Sequence, residues 1–172
     1  MELEALCQPI ELILSDVDGV LTDGGIILDS QGVETKRFHI RDGLAIRLWQ
    51  KAGYRFGLIT GRSSHMVKVR AAELGVDIIR QGIDDKLHAF RQILGECGLT
   101  PRQTCYLGDD LPDLPVIREA GLGVAVADAA REVCERADFV TQAAGGTGAL
   151  REIVEIILKH QRRWDDVIQS FV

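Results

Sequence analysis

Two aspartates stand two positions apart directly after the first apolar run of the sequence, and their types and spacing suit phosphoryl transfer. Asp16 and Asp18 follow the run that covers residues 10–14, and Gly19 comes next. Their side chains would point to opposite sides of a regular strand, but a turn at Gly19 brings both to one pocket. There Asp16 can attack a phosphorus atom as nucleophile, while Asp18 protonates the leaving group and then deprotonates the attacking water. Taken alone, the segment could also be an acidic turn after a strand.

A second acidic segment further along the chain supplies the ligands that a hard cation needs. Its sequence is GDDLPD, and its carboxylates are Asp109, Asp110 and Asp113. A carboxylate nucleophile and a phosphate repel each other, so we expect a bound Mg²⁺. We predict the side chains of Asp16 and Asp109 and the backbone carbonyl of Asp18 as its ligands. Asp113 is expected to orient Asp109 or a bound water, and Asp110 either supports the ligands or caps a helix.

Four further residues have the chemistry to bind or neutralise phosphate. The hydroxyl of Thr60 and the amide of Gly61, at the end of an apolar run, can bind phosphate oxygens without adding charge. Lys86 can neutralise charge on the nucleophile and on the transferring phosphoryl group. Arg62 can contact a phosphate or a carboxylate. The alternative for Lys86 is a solvated residue in the first turn of a helix, and for Arg62 an exposed residue near a helix start.

Apolar runs of strand length alternate with amphipathic segments of helix length along most of the chain. The predicted strands are 10–14, 55–60, 77–80, 104–108, 122–127 and 139–141, and the predicted helices are about 63–74, 84–97, 116–120, 129–136 and 150–163. A further helix is expected to start at Asp42 as N-cap, to bury Leu44 and to end before Gly53. The runs 26–28 and 35–39 flank a turn segment and predict a β-hairpin.

This alternation indicates an α/β fold with a parallel sheet and helices on both faces. Ligands of such sheets bind beyond the carboxyl ends of the strands. The candidate residues all follow strands: Asp16 and Asp18 the first, Thr60 and Arg62 the second, and Asp109, Asp110 and Asp113 the fourth. The predicted fold therefore brings the candidate residues to one edge of the sheet.

Length and composition limit the class of protein. The 172 residues predict a single domain, 1–172, with the hairpin as an insertion at about 24–39. A net charge of −6 argues against a nucleic-acid partner. We find no signal-peptide pattern and no apolar run long enough to span a membrane. The four cysteines have no metal-ligand spacing, so reduced thiols and a cytoplasmic location are expected.

The motifs together resemble the haloacid dehalogenase-type phosphatases. Four signatures of that superfamily occur in order: DVDGVLTDG at 16–24, ITGR at 59–62, Lys86, and GDDLPD at 108–113. The spacing between them leaves no room for a cap domain, as in capless members that act on sugar acids. The resemblance implies a Rossmann-like sheet, an aspartyl-phosphate intermediate and Mg²⁺.

Further segments narrow the resemblance to the phosphatases of 3-deoxy-D-manno-octulosonate 8-phosphate. These are FHIRDG at 38–43, YLGDDLPD at 106–113, VAVADA at 124–129 and GGTGALRE at 145–152. The resemblance implies a small phosphorylated sugar acid as substrate. It also implies a homotetramer in which the hairpins meet at the fourfold centre and neighbouring subunits complete each site. In the segment 145–152 this sequence has Thr147 where many family members carry arginine. A cation able to face a sugar carboxylate is therefore absent at that position.

The sequence leaves three alternatives open. Relatives of the same fold cleave nonulosonate 9-phosphates, and others are catalytically idle domains kept for regulation. A signalling receiver domain also uses aspartates, a threonine and a lysine at strand ends. However, the second aspartate, Asp18, favours rapid hydrolysis over a long-lived phosphoryl group. The segment 165–172 is expected either to close over a neighbouring site or to be disordered.

Overall fold

The computed structural model describes residues 2–169, and most of its strands belong to one parallel sheet. The strands are β1 (Leu12–Ser15), β2 (Ile27–Leu28), β3 (Glu34–Thr35), β4 (Arg55–Thr60), β5 (Ile78–Gln81), β6 (Thr104–Gly108), β7 (Leu122–Ala125) and β8 (Phe139–Val140). The six-stranded sheet has the order β5-β4-β1-β6-β7-β8, and each neighbouring pair is parallel. This architecture confirms the predicted α/β fold.

Helices cover both faces of this sheet. They are α1 (Glu2–Cys7), α2 (Ile40–Lys51), α3 (His65–Glu73), α4 (Lys86–Cys97), α5 (Leu114–Glu119), α6 (Arg131–Cys134), α7 (Ala149–His160) and α8 (Trp164–Ile168). Short 3₁₀ turns cover Pro101–Gln103 and Leu111–Asp113. Side chains of α2, α3 and α7 pack in the core on one face, and those of α4 and α5 pack in the core on the other.

The side chains of a strand alternate between the two faces of the sheet, and this alternation explains why a separate core lies on each face. Ile13 of β1 lies in the core with α2 and α7, whereas Leu12 and Leu14 lie in the core with α4 and α5. All three side chains are fully buried, as expected for a central strand covered on both sides. Burial of each such side chain stabilises the fold by up to about 1.5–3 kcal/mol.

The order of the strands places a crevice beside β1. From β1 the chain continues to β4 and β5 on one side, and then crosses to β6, β7 and β8 on the other. The connections thus diverge between β1 and β6, where the carboxyl ends of an open parallel sheet form a ligand crevice. The residues that follow β1 and β6 are the two aspartate segments.

The start of α2 differs from the prediction. The helix begins at Ile40 with His39 at the N-cap, three residues before the expected N-cap Asp42. The buried carboxylate of Asp42 accepts a hydrogen bond of 2.9 Å from the backbone amide of Arg151. It therefore caps the start of α7 rather than its own helix. Leu44 was expected to be buried and is 40% exposed.

Smaller differences concern the ends of elements. The helix α1 was not predicted, and α4 starts at Lys86, after an N-cap at Asp85 whose side chain accepts a hydrogen bond from the amide of His88. The hairpin is present, but its strands β2 and β3 have two residues each. Of the segment 165–172, residues 165–168 are ordered in α8, against the alternative of disorder, and residues 170–172 lie outside the described residues, so the expectation for them stays a prediction. Across residues 2–169, no helix has both the length and the apolar character that a membrane crossing requires.

Candidate active site

The loop after β1 turns tightly around the hydroxyl group of Thr22. Its Oγ1 accepts hydrogen bonds from the amides of Gly19 (3.3 Å) and Gly24 (3.2 Å) and donates to the carbonyl of Val17 (3.4 Å). Gly19 has φ +96°, and a Cβ there would lie 2.0 Å from Oδ2 of Asp109. Only glycine fits at this position, and the close approach brings the loop of Asp16 against the loop of Asp109.

Asp113 holds the second aspartate loop in place. Its Oδ2 accepts hydrogen bonds from the amides of Asp109 (3.0 Å) and Asp110 (3.3 Å), and its Oδ1 accepts one from the hydroxyl of Tyr106 (2.6 Å). Oδ1 also pairs with Nζ of Lys86 at 2.8 Å. With both oxygens engaged, Asp113 fixes the backbone of its neighbour Asp109, as expected for a supporting residue.

Asp110 caps the turn that follows it. Its Oδ1 accepts a hydrogen bond of 2.8 Å from the amide of Leu111, at the start of the Leu111–Asp113 turn. Of the two roles left open for Asp110, the structure shows the capping contact.

The amine of Lys86 lies between two carboxylates. From the first turn of α4 it reaches Oδ1 of Asp16 at 3.0 Å and Oδ1 of Asp113 at 2.8 Å. The side chain is buried, in contrast to the alternative of a solvated lysine. Burial alone would lower the pKa of Lys86, but the attraction of the two carboxylates is stronger and raises the pKa above its ordinary value. The residue therefore stays charged beside the candidate nucleophile.

Two buried carboxylate oxygens in this cluster form no well-aligned hydrogen bond within the described part of the chain, although Oδ1 of Asp16 lies 3.0 Å from the ammonium of Lys86. Among the described residues, none donates a well-aligned hydrogen bond to Oδ1 of Asp16 or to Oδ1 of Asp109, and both atoms are buried. Ligand oxygens of Asp16, Asp109 and Asp113 all lie within 4.8 Å of one another. Three carboxylates with oxygens this close together, one of which has no donor on a buried oxygen, fit a small divalent cation with oxygen ligands.

The pKa values of the carboxyl groups in this cluster also favour a bound cation. Burial, followed by repulsion from Asp16 and Asp113, raises the pKa of Asp109 to about 8. Burial, followed by repulsion from Asp113, raises the pKa of Asp16 to about 6. Without a cation, the cluster holds protons at a pH where carboxylates are normally ionised. A bound divalent cation would remove the free-energy cost of ionising these carboxylates.

The other candidate residues lie around the same cleft. Thr60 is buried at the end of β4, where its Oγ1 accepts a hydrogen bond of 3.4 Å from the amide of Arg62. The cleft has a volume of about 300 Å³. Its lining residues are Asp16, Asp18, Gly61, Arg62, Ile83, Asp84, Lys86, Asp109, Asp110, Pro112 and Asp113. Thus the structure brings the predicted set together, with Thr60 behind the lining.

The 145–148 loop packs directly on the loop of Asp16. The amide of Gly146 donates a hydrogen bond of 2.9 Å to the carbonyl of Val20, and a Cβ on Gly145 would lie 1.8 Å from the carbonyl oxygen of Gly19. The hydroxyl of Thr147 donates to the carbonyl of Ala144 at 2.6 Å, and Thr147 does not line the acidic cleft. The loop therefore supports the loop of Asp16 from behind.

Two hairpin residues reach the site and were missed from the sequence. The ammonium of Lys36 donates a hydrogen bond to Oδ1 of Asp18, and Oε1 of Glu34 pairs with Arg62 at 2.8 Å. The hydroxyl of Ser64 donates to the other oxygen of Glu34, which holds the pKa of that carboxyl below its ordinary value. The available signal was their spacing, because Glu34 and Lys36 are two residues apart and share one side of an extended strand.

Comparisons with known proteins agree with the geometry. A family model described as haloacid dehalogenase-like hydrolase matches residues 69–153. The 3-deoxy-D-manno-octulosonate 8-phosphate phosphatase KdsC of Escherichia coli K12 is 43% identical over 162 residues, which are 94% of this chain and 86% of the relative. The KdsC of Yersinia pestis is 43% identical over 88% of this chain and 81% of its own length.

Solved structures of similar proteins contain metal ions. The 3-deoxy-D-manno-octulosonate 8-phosphate phosphatase of Moraxella catarrhalis, in complex with magnesium, phosphate and KDO, has a TM-score of 0.97 and 43% identity, with 99% of this chain and 98% of that chain covered. The cobalt-bound phosphatase YrbI of Haemophilus influenzae has a TM-score of 0.92 and 38% identity, with 96% and 98% covered.

Proposed function

Because the chain belongs to the family of the 3-deoxy-D-manno-octulosonate 8-phosphate phosphatases, within the haloacid dehalogenase-like hydrolases, we propose that it is a Mg²⁺-dependent phosphatase of that sugar acid. It would release 3-deoxy-D-manno-octulosonate and phosphate. The observation that carries the proposal is the cluster of close carboxylate oxygens of Asp16, Asp109 and Asp113, in which Asp16 pairs with the buried amine of Lys86 and Oδ1 of Asp109 has no hydrogen-bond donor among the described residues. Family membership removes the receiver-domain alternative.

In the first half-reaction Asp16 is the nucleophile. One carboxylate oxygen forms a bond to phosphorus while the bond from phosphorus to the sugar oxygen breaks. Asp18 gives its proton to that departing oxygen. Lys86, 3.0 Å from Asp16, offsets negative charge on the nucleophile and on the phosphoryl group. Gly61 binds phosphate oxygens at the end of β4, Thr60 supports this turn from behind the cleft lining, and Arg62 lies at the rim of the cleft.

In the second half-reaction the aspartyl-phosphate is hydrolysed. The carboxylate of Asp18 takes a proton from water, the water oxygen bonds to phosphorus, and the bond to Asp16 breaks. Asp16 is then free for another cycle. The same proton carrier thus serves both halves, which explains the need for a second aspartate close to the nucleophile.

The cation site comprises the side chains of Asp16 and Asp109 and the backbone carbonyl of Asp18, with Asp113 as support. When bound, Mg²⁺ supplies positive charge that neutralises the repulsion between the carboxylates and the phosphate. The choice of Mg²⁺ is supported by the all-oxygen donor set and by the magnesium in the Moraxella catarrhalis structure.

The substrate proposal rests on the relatives. The Moraxella catarrhalis structure contains KDO, and the two KdsC relatives compared above carry the octulosonate in their names. A nonulosonate 9-phosphate differs only beyond the reacting phosphate, so it remains the second candidate substrate. An idle regulatory domain is disfavoured, because every predicted catalytic position carries its functional side chain.

A homotetramer and a cytoplasmic location are further parts of the proposal. Four apolar hairpin side chains, Ile26, Ile27, Leu28 and Val33, are between 50% and 65% exposed. Clustered exposed apolar residues of this kind favour burial against other subunits, as the family resemblance implies. Free thiols on all four cysteines support the cytoplasm as location.

Phosphate release from a panel of substrates tests the proposed function. The panel contains 3-deoxy-D-manno-octulosonate 8-phosphate, a nonulosonate 9-phosphate and glucose 6-phosphate, each with Mg²⁺ and with EDTA. We expect activity only with Mg²⁺ and about 10-fold or greater preference for the octulosonate, which requires about 1.4 kcal/mol of discrimination. Preference for the nonulosonate would establish the second candidate substrate instead. If none of the substrates releases phosphate, the proposal that the protein is a phosphatase is refuted.

Asp16→Asn is the variant for the nucleophile. It keeps size and removes the nucleophilic charge, so we expect at least about 10³-fold lower kcat with an unchanged far-UV spectrum. The matched control is Asp77→Asn at an exposed aspartate outside the cleft, which should retain activity. Normal turnover by Asp16→Asn would show that another group attacks phosphorus.

A further inference from the structure

The hairpin buries one cation in the site and leaves its sequence neighbour in solvent. The side chain of Lys36 is 2% exposed, whereas that of Arg37 is 76% exposed. The Lys36 ammonium donates a hydrogen bond to Oδ1 of Asp18 and lies 3.4 Å from Oε1 of Glu34. An ammonium is costly to bury unless it is paired, so these two carboxylates hold Lys36 in place.

Glu34 is itself fixed from a different part of the chain. Arg62 pairs with its Oε1 at 2.8 Å, and the hydroxyl of Ser64 donates to its Oε2. Both partners belong to the segment after β4. Lys36 is therefore attached to the loop after β1 through Asp18 and to the segment after β4 through Glu34. Its ammonium can move little without breaking one of these contacts.

The side chain of Asp18 lies apart from the cluster of cation-binding oxygens. That cluster contains carboxylate oxygens of Asp16, Asp109 and Asp113 within 4.8 Å of one another, and the carboxylate of Asp18 is not among them. A carboxylate two residues from Asp16 and released from its partner would be attracted to a divalent cation. A carboxylate bound to the cation would be a poor proton carrier. Some contact must keep Asp18 away.

We propose that Lys36 is the positioning residue for Asp18: its buried ammonium holds the carboxylate away from the cation-binding oxygens, so that Asp18 carries protons instead of binding metal. This inference rests on the proposed phosphatase function and deepens it. Lys36 exchanges no proton in the reaction. Asp18 gives its proton to the departing sugar oxygen and regains one from water, and Lys36 only maintains the place from which both transfers occur.

The first test compares Lys36→Met with Arg37→Met, a matched pair of adjacent cations. We expect Lys36→Met to lower kcat about 10- to 100-fold with little change in KM. Displacement of a proton-carrying group such as Asp18 from its working position reduces the catalytic rate by about this factor. Arg37→Met should stay within about 2-fold of the wild type, and Lys36→Arg should recover most of the loss, since an exposed cation contributes little and a second cation preserves the contact. An equal loss in both Met variants, or no loss in Lys36→Met, would overturn the inference.

A double-mutant cycle with Asp18→Asn separates positioning from a general structural effect. If Lys36 acts through Asp18, Lys36→Met should cost less than about 3-fold in the Asp18→Asn background, since the interaction is already gone. If the activity losses of Lys36→Met and Asp18→Asn multiply in the double variant, the inference is contradicted. If Lys36→Met fails to fold, as judged by thermal unfolding, Lys36→Gln replaces it in the same cycle.

Calorimetric titration with MgCl₂ gives a readout independent of turnover. A released Asp18 would add its charge to the cation site, so Lys36→Met should bind Mg²⁺ more tightly than the wild type, and Lys36→Arg should bind like the wild type. Unchanged or weaker binding by Lys36→Met would overturn the inference. A wild type that hydrolyses nothing in the panel would instead refute the proposed function, whatever the affinity for Mg²⁺.

Discussion

The hydroxyl group of Tyr106 donates a hydrogen bond of 2.6 Å to Oδ1 of Asp113, and both side chains are buried. Burial raises the pKa of Tyr106 well above its ordinary value, so the hydroxyl remains a donor at any working pH. The same Asp113 holds the amides of Asp109 and Asp110 through its other oxygen. The position of Asp109 therefore depends on a tyrosine below the cleft that does not line it.

Tyr106→Phe should destabilise the protein without removing any group that contacts substrate. Loss of a buried donor to a charged acceptor lowers the free energy of unfolding by about 1–3 kcal/mol, and a small shift of Asp109 should lower kcat several-fold. Urea unfolding and phosphatase assays measure the two effects. Tyr54→Phe is the control, because its hydroxyl has only a 3.5 Å contact with Arg163 and its ring stacking on Trp49 is kept. Equal stability of both variants would contradict the supporting role of Tyr106.

Gly19→Ala should disrupt the site through contact and not only through backbone strain. Its Cβ would lie 2.0 Å from Oδ2 of Asp109, so the carboxylate of Asp109 must leave its position in the cation-binding cluster. Gly75 has φ +66°, and a Cβ there would have no atom within 4 Å, so Gly75→Ala isolates the strain, about 1–2 kcal/mol. We expect Gly19→Ala to lose Mg²⁺ binding and activity as well. The prediction fails if the two variants match in both stability and Mg²⁺ affinity.

The convergence of the proposed catalytic residues in one cleft was predictable because each residue type has a chemical reason at a strand end. The positions of Asp16, Asp18 and Asp109 follow from strands rich in apolar residues and from the rule that parallel strands end at one edge. The role of Lys86 could be predicted only from the combination of motifs, since a lysine in a first helical turn is usually solvated. Its burial between two carboxylates depends on how α4 packs, which local sequence does not specify.

The contacts missed from the sequence are tertiary. Asp42 has the type and place of an N-cap, but its partner is the start of α7, more than a hundred residues away along the chain. Lys36 and Glu34 lie in the predicted hairpin and were not singled out from the sequence, because only the fold brings them against Asp18 and Arg62. Local patterns predict elements well, whereas the partner of a polar side chain depends on packing between elements.

Charge on the apolar hairpin should prevent assembly. Ile27→Glu combined with Val33→Glu places carboxylates on a surface that the proposed tetramer buries, and isolated buried charges are strongly unfavourable. We expect sedimentation velocity to show smaller species and the activity to fall, since neighbouring subunits would complete each site. Val140→Glu is the control at a half-exposed position of the edge strand β8 and should sediment like the wild type. An unchanged sedimentation profile for the hairpin variant would count against the tetramer.

Stability without metal should fall as pH rises, and Mg²⁺ should restore it. The pKa of Asp109 is raised to about 8 and that of Asp16 to about 6, mainly by burial. Above the unfolded values, the folded protein binds more protons than the unfolded chain, so its free energy of unfolding decreases up to these folded pKa values. Mg²⁺ takes the place of the protons, and its stabilising effect should therefore grow over the same pH range.

Thermal unfolding between about pH 5 and about pH 8.5, once in EDTA and once in MgCl₂, measures both trends, because linkage converts each bound proton into a slope of stability against pH. We expect the melting temperature in EDTA to decrease with pH, and the difference between the two curves to widen. Asp109→Asn cannot ionise, so its curve in EDTA should be flatter and its response to Mg²⁺ weaker. Parallel wild-type curves, or an equally steep curve for Asp109→Asn, would show that Asp109 does not carry the displaced proton, and the cation would then have to bind elsewhere.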